Sequence, residues 1–192
     1  MLSLNIAGIN CLACADYFSD VNIMFIMVDV EADGPVPGKY SMIELGAVAV
    51  ESNLDRTFHR KLHPISEEYD PESLSITGYS REDTLRFEDP KTVMMDFEKW
   101  INDVEPRRPM FISDNNGFDW MFVCYYFYKF LDRNPFGFSS QNLNSLYKGL
   151  TRNLRGSFKH LRKTLYDHNP VNDAKGNAEA LLSLIREYDL TI

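Results

Sequence analysis

The sequence is short of cysteine, of basic charge and of long apolar runs. Three cysteines in 192 residues, an odd number, argue against a disulfide framework and for a reducing, cytoplasmic compartment. Cys11 and Cys14 form a C-x-x-C, but no second pair follows to complete the four ligands that zinc requires. Cys124, inside FVCYYF, is expected as a small buried apolar residue. Lys and Arg number 20 against 28 Asp and Glu, a net charge of −8. That balance argues against sequence-independent coating of nucleic-acid duplexes, which needs a broadly basic surface. It leaves open an enzyme that holds metal ions among clustered carboxylates. No uncharged apolar run reaches the roughly 18 residues of a membrane span, so no contact with a membrane is expected.

What is present is an ordinary globular composition, 44% hydrophobic and 13% aromatic, of a length that one core can serve. Residues 1–22 lack the basic start of a signal segment, and Asp16 and Asp20 interrupt their far end. They are expected to form an extension to a single domain spanning 23–192, with Met24 as the expected native start.

IMFIMVDV (23–30) and MIELGAVAV (42–50) are short apolar runs of buried-strand type, separated by a Gly/Pro-rich stretch. LDRTFHRKLH (54–63) sets Leu54, Phe58 and Leu62 against Arg56 and Arg60 and is expected as a half-exposed third strand, giving an antiparallel meander. Asp89–Pro90 is a helix-start signal. Val93, Met94, Phe97, Trp100 and Ile101 then recur at helical spacing. PMFIS (109–113) reads as a short strand and 118–131 as an aromatic core helix. Further helices are expected near 142–150, 157–166 and 173–188. The chain is thus α/β, a layered domain.

Three patterns bear on chemistry. D-x-E at Asp29/Glu31 is cheap by composition, recurring at 96/98 and 103/105, but only the first falls on a strand. There, residues i and i+2 share a face, so the two carboxylates converge; alternatively they are a solvated strand edge. Asp119 opens the aromatic helix, where the helix dipole favours an acid. His168 precedes Asp173 by five residues; read alone, the first is an exposed loop histidine and the second an N-cap worth about 1 kcal/mol.

Their order along the chain changes the reading. IMVDVEADG, then DNNGFDW, then HNPVNDAKGNAEA resembles the DEDDh group of 3′–5′ exonucleases, which includes proofreading exonucleases, ribonuclease T and oligoribonuclease. The resemblance spans about 23–188, and PESLSITGYSRED (71–83) adds to it. It implies a ribonuclease H-like fold with a mixed central sheet, antiparallel meander plus parallel strands, flanked by helices.

The resemblance also implies two divalent cations, Mg²⁺ or Mn²⁺, balancing four clustered carboxylates. Asp29 would bridge both, Glu31 and Asp173 would bind the catalytic ion, and Asp119 would organise the second through water. His168 would be the general base, a role that suits an imidazole near neutral pH. Backbone amides at Ala32 and Asp33 would meet the terminal 3′-OH and phosphate, although ADGPVPG departs from the threonine common at that place. Asn115 and Phe118 would floor the terminal nucleotide. Tyr79 of the ITGY loop (76–79) would wedge against bases or belong to a plain loop.

KGLTRNLRGSFKHLRK (148–163), with six basic residues and no acid, is a solvated surface, a phosphate-steering strip or a dimer surface. The implied partner is a single-stranded DNA or RNA 3′ end. Similarity to stand-alone bacterial and phage-related members, some accompanying antiphage signalling systems, favours DNA and makes antiviral defence a possible setting. Ribonuclease T and oligoribonuclease imply a homodimer. The rival readings are an exoribonuclease with the same centre, and a nucleic-acid-binding module whose centre is silent.

Overall fold

The computed structural model describes residues 23–107 and 109–191; Cys11, Cys14 and the 1–22 extension lie outside them. Five strands form one sheet in the order β3-β2-β1-β4-β5: β1 Met24–Ala32, β2 Met42–Ala49, β3 Thr57–Lys61, β4 Pro109–Ser113 and β5 Ser140–Asn142. The β1–β2 and β2–β3 pairs are antiparallel, whereas β1–β4 and β4–β5 are parallel. The expected meander and mixed sheet are therefore present. The third strand is shorter than its pattern suggested, because Leu54, Phe58 and Leu62 share parity with Arg56 and Arg60. Leu54 lies before the strand with φ 53°, and Phe58 is the one residue of β3 that the core buries.

Helices cover both faces: α1 Pro71–Thr77, α2 Arg81–Thr84, α3 Pro90–Val104, α4 Asn116–Leu131, α5 Leu143–Thr151 and α6 Pro170–Glu187. Ile26, Val28 and Val30 pack with Phe97, Phe122 and Phe127 of α3 and α4. That core is knit by ring pairs such as Phe58–Phe97 at 4.9 Å and Phe97–Phe127 at 5.7 Å. Each buried ring contributes about 1.5–3 kcal/mol. On the other face, Met27, Val48 and Ile112 pack with Ala174, Ala178 and Leu181 of α6. Asp89 caps α3 as its sequence predicts, accepting from the Thr92 amide at 2.9 Å with Pro90 at the first turn.

Three local expectations are corrected. Only Phe158–Leu161 of the 157–166 segment is helical, as one 3₁₀ turn, because the remainder is tied to α6 by side chains. Helix α6 begins three residues early: Asn169, accepting from the Val171 and Asn172 amides, is its cap, with Pro170 as first residue. Asp173 therefore does not cap the helix and its carboxylate is free for another role. Cys124 is half-buried rather than buried, since α4 turns Phe122, Val123, Tyr126 and Phe127 inward instead. Among the described residues no helix is long and apolar enough to cross a membrane.

Candidate active site

The odd-numbered face of β1 is apolar at Met27 and acidic at Asp29 and Glu31. The change occurs where β1 runs past its partner β4: their register ends at Met27–Ile112. The carboxyl ends of parallel strands form the usual ligand crevice of open α/β sheets, and both β1 and β4 deliver acids there. Asp114 and Asn115 follow β4 directly, and the first turn of α4 carries Asp119. The Oδ1 of Asp119 accepts from the Val30 amide at 3.3 Å, tying that helix to the exposed end of β1.

Asp173 arrives from the opposite side through a close approach of helix to sheet. Gly46 lies directly across from Asp29 in the β1–β2 ladder. A Cβ there would strike the Pro170 carbonyl carbon and the Val171 nitrogen at the start of α6. Glycine thus lets the helix touch the sheet and brings Asp173 over Asp29. Gly46→Ala is expected to cost about 1–3 kcal/mol by overpacking and to lower turnover. Thermal melting with a parallel activity assay tests this, and an unchanged melt would show the contact to be slack.

Asp29, Glu31 and Asp173 each present an oxygen within 4.8 Å of the others. The expected site acids thus come together beside a cavity of about 340 Å³, whose wall includes Asp119 but not the fully buried Asp173. Asp29 and Glu31 lie on its wall with His168, Asn115 and Phe118. His168 has φ 59°, its Nδ1 is 3.8 Å from Glu31 Oε1, and its ring meets Tyr166 edge-on at 4.6 Å.

Burial dominates the electrostatics. It drives the Asp29 carboxyl well above its ordinary range, with Asp119, Glu31, Asp173 and Asp114 adding repulsion in that order. Glu31 is pushed to about 8 by burial, then by Asp173, Glu44 and Asp119. Burial is also the main cause that lifts Asp119 to about 7. Burial raises Asp173 too, opposed by Arg162. The Arg162 guanidinium donates to Asp173 Oδ1 at 2.8 Å and to Asn177 Oδ1 at 3.3 Å, in a pair almost wholly removed from solvent. Gly176 makes room for it, since a Cβ there would meet the guanidinium.

The other oxygens of Asp119 and Asp173 are buried and have no hydrogen-bond donor among the described residues. Buried carboxylates without donors are costly, whereas an all-oxygen donor set suits a hard divalent cation. The residues therefore fit a metal centre.

Several expected contacts differ. The Asp33 amide donates to the Ser41 carbonyl at 2.9 Å, so it is occupied within the fold and not free for a substrate end. The Asp33 side chain is buried, accepting from the Ser41 amide at 2.5 Å and from Arg81 at 2.9 Å. Ala32 is buried and lies off the cavity wall. Tyr79 also lies off that wall; its ring packs on Phe87 at 5.1 Å and its hydroxyl donates to Glu44 at 3.4 Å. Ile76 of the same segment faces the cavity instead, because the segment is the end of helix α1 turned by Gly78 (φ 78°).

Asp114, Lys159 and Tyr166 also line the cavity without having been singled out by sequence. Asp114 was visible as the first residue of DNNGFDW. The basic strip divides: Lys159 reaches the site, and Arg162 is spent on Asp173. The D-x-E copies elsewhere are scattered, with Asp96 and Glu98 on α3 and a further copy, Asp70/Glu72, at the cap of α1.

A curated relative, the 3′-5′ DNA exonuclease Cap18 of Escherichia coli, is 39% identical over 170 residues, covering 81% of this chain and 88% of the relative. Among solved structures, the zinc-bound E. coli ExoI–ssDNA complex aligns with a TM-score of 0.68 at 16% identity, over 88% of this chain. Cell-death related nuclease 4 aligns with a TM-score of 0.68 at 14% identity, over 85% of this chain. The chain spans 41% of the first structure's length and 64% of the second's, and at these identities they show a shared fold. The profile of the exonuclease family matches residues 26–181, from the first strand through most of the last helix, and the chain belongs to that family.

Proposed function

We propose that this chain is a metal-dependent 3′–5′ exonuclease that hydrolyses nucleotides from the 3′ ends of single-stranded DNA. The observation that carries the reading is the meeting of Asp29 and Glu31 of β1 with Asp173 of α6, their oxygens within 4.8 Å of one another, beside a cavity that His168 borders. Similarity to a relative named as a DNA exonuclease supports the substrate, as do solved ExoI complexes with single-stranded DNA.

Two divalent cations, Mg²⁺ or Mn²⁺, held by Asp29, Glu31 and Asp173 with Asp119 behind, would balance the acids and polarise water and phosphate. The side chains divide the remaining work. His168 takes the proton of the attacking water at an exposed edge of the site, from which solvent removes it. Lys159 offers a positive charge to the substrate phosphate in a cavity whose wall also carries four acids, Asp29, Glu31, Asp114 and Asp119. Ile76 and Phe118 give the terminal nucleotide apolar walls. Burial and the nearby Asp29 charge keep the proton on the Tyr166 hydroxyl, which makes it a hydrogen-bond donor beside His168.

The test is digestion of 3′- and 5′-labelled single-stranded DNA and RNA of one sequence with Mg²⁺, Mn²⁺ or EDTA. The expected result is a DNA ladder shortening from the 3′ end that EDTA abolishes. In the same assay His168→Ala is expected to lower kcat by about 10²–10⁴, the range for loss of a general base, with little change in DNA affinity. Cleavage of RNA alone would make the chain an exoribonuclease with the same centre. Binding without cleavage of either would make it a silent binding module. A light-scattering mass of twice the chain would support the homodimer that the family resemblance implies.

A further inference from the structure

Direct cross-strand neighbours in an antiparallel pair project to one face. Two rows therefore run outward from the site: Asp29–Gly46–His59 and Glu31–Glu44–Lys61. Glu44 is buried, and its Oε1 lies 2.6 Å from His59 Nε2 and 3.4 Å from the Tyr79 hydroxyl. The acidic centre is thus joined by one buried carboxylate to a cluster of opposite sign at the β3 edge.

There His59, Arg60 and Lys61 of β3 form, with Arg86, Phe87 and Glu88, a second open cavity of about 350 Å³. Its lining has three permanent cations and one acid, Glu88, with Asp83 close to Arg86 outside it. Arg60–Glu88 at 3.7 Å and Arg86–Asp83 at 4.0 Å are exposed pairs, which hold their partners weakly and leave guanidinium donors free. Lys61 Nζ lies 4.5 Å from the centre of the Tyr79 ring and 5.6 Å from that of Phe87. Cations interleaved with aromatic rings are the usual platform for a single strand: charge for phosphates, rings for bases.

The residues 76–79 connect the two places, with Ile76 on the active cavity and Tyr79 beside the second. Two strand spacings, about 10 Å, separate the rows' ends, roughly three nucleotides at the ~3.4 Å rise of a stacked strand.

We propose that this groove binds the phosphate backbone of the same single strand a few nucleotides from the 3′ end held in the active site. The inference rests on the exonuclease reading above and extends it. The groove makes the enzyme sensitive to substrate length: a strand too short to reach the β3 edge forgoes its cationic contacts.

The test uses full-length protein, a dT20 oligonucleotide, a dT3 oligonucleotide and the p-nitrophenyl ester of thymidine 5′-monophosphate. The Arg60→Glu/Arg86→Glu double variant changes two exposed side chains, and a melting curve checks its fold. Its KM for dT20 is expected to rise about tenfold or more, and the slope of log Kd against log salt to fall by about 1.4, near 0.7 for each of two lost phosphate contacts. Turnover of the ester and of dT3 stays within about twofold. Arg86→Glu alone, which leaves β3 untouched, gives part of the same length-dependent effect. Unchanged KM for dT20 would overturn the proposal, as would an equal loss on the ester and dT20, which would place the effect in the active site. Failure of the unaltered protein to cleave dT20 with either Mg²⁺ or Mn²⁺ would overturn the exonuclease reading itself, and the groove's role with it.

Discussion

Asp29→Asn is expected to remove turnover while raising the melting temperature of the metal-free protein. Asp29 lies where four other carboxylates add repulsion to burial, and burial is the largest cause of its raised pKa. Asparagine keeps the shape and removes the charge. Relief of a buried, uncompensated acid is worth about 2 kcal/mol, roughly 4–8 °C for a chain of this size. The gain is largest near pH 8 and shrinks as pH falls below about 4, where the aspartic acid becomes neutral in the unfolded chain as well as the folded one.

The proposed cations lose a central ligand in this variant. Metal-based charge stabilisation contributes several kcal/mol, and each ~1.4 kcal/mol is tenfold, so turnover falls by about 10³ or more. The two effects run in opposite directions, which an ordinary core substitution does not produce. Melting with EDTA at pH 8 and digestion of labelled DNA with Mg²⁺ measure both. A lower melt, or retained turnover, would remove Asp29 from the centre of the site.

Strand parity made the central pair legible: i and i+2 on β1 had to share a face, and the other copies of D-x-E fall on helices or caps. Asp119 and Asp173 were found by motif order, and their mutual geometry came only from tertiary structure. Gly46, which lets α6 reach the sheet, carries no local signature because its function is a contact across the fold. Asp173 was read as a cap because it stands near a helix start. The competing Asn169–Pro170 pair is a stronger start signal, supplying a side-chain acceptor and a residue that lacks an amide hydrogen.

Arg162 escaped for another reason. Its pairing with Asp173 crosses a segment without periodicity, and within 148–163 it looks like one more surface base. Tyr79 was singled out in the 76–79 segment for its stacking chemistry alone, yet it is Ile76 that lines the cavity. The helix that ends at Thr77 decides instead which of the two faces the cavity. The amides at 32–33 were carried over from the family pattern. Here the chain folds Asp33 against Ser41 and Arg81, which engages its amide and side chain within the fold.

Metal-free protein is expected to lose stability as pH rises from about 5 to about 8, and Mg²⁺ to restore it increasingly over the same range. Folding raises Glu31 from 4.5 to about 8 and Asp119 from 3.8 to about 7. Between those limits the folded chain holds protons that the unfolded chain has released, so stability falls with each rise in pH and levels off above the folded values. The carboxylates that folding lowers, such as Asp70, Asp89 and Glu179, act with the opposite sign. Their contribution is lost as pH falls toward the acid end, which leaves the interval above pH 5 to the buried acids.

A divalent cation binds the deprotonated carboxylates, so its apparent affinity rises as their protons leave. At a hundredfold excess over its dissociation constant, a bound ion adds about 2.7 kcal/mol, or roughly 5–10 °C. Melting curves in EDTA and in Mg²⁺ at half-unit steps between pH 5.5 and 8.5 are therefore expected to diverge as pH rises. In Asp173→Asn that divergence narrows, since one of the three converging oxygens no longer carries charge. Parallel curves in the unaltered protein would mean that the acids at the end of β1 do not hold the ion, whatever activity the protein shows.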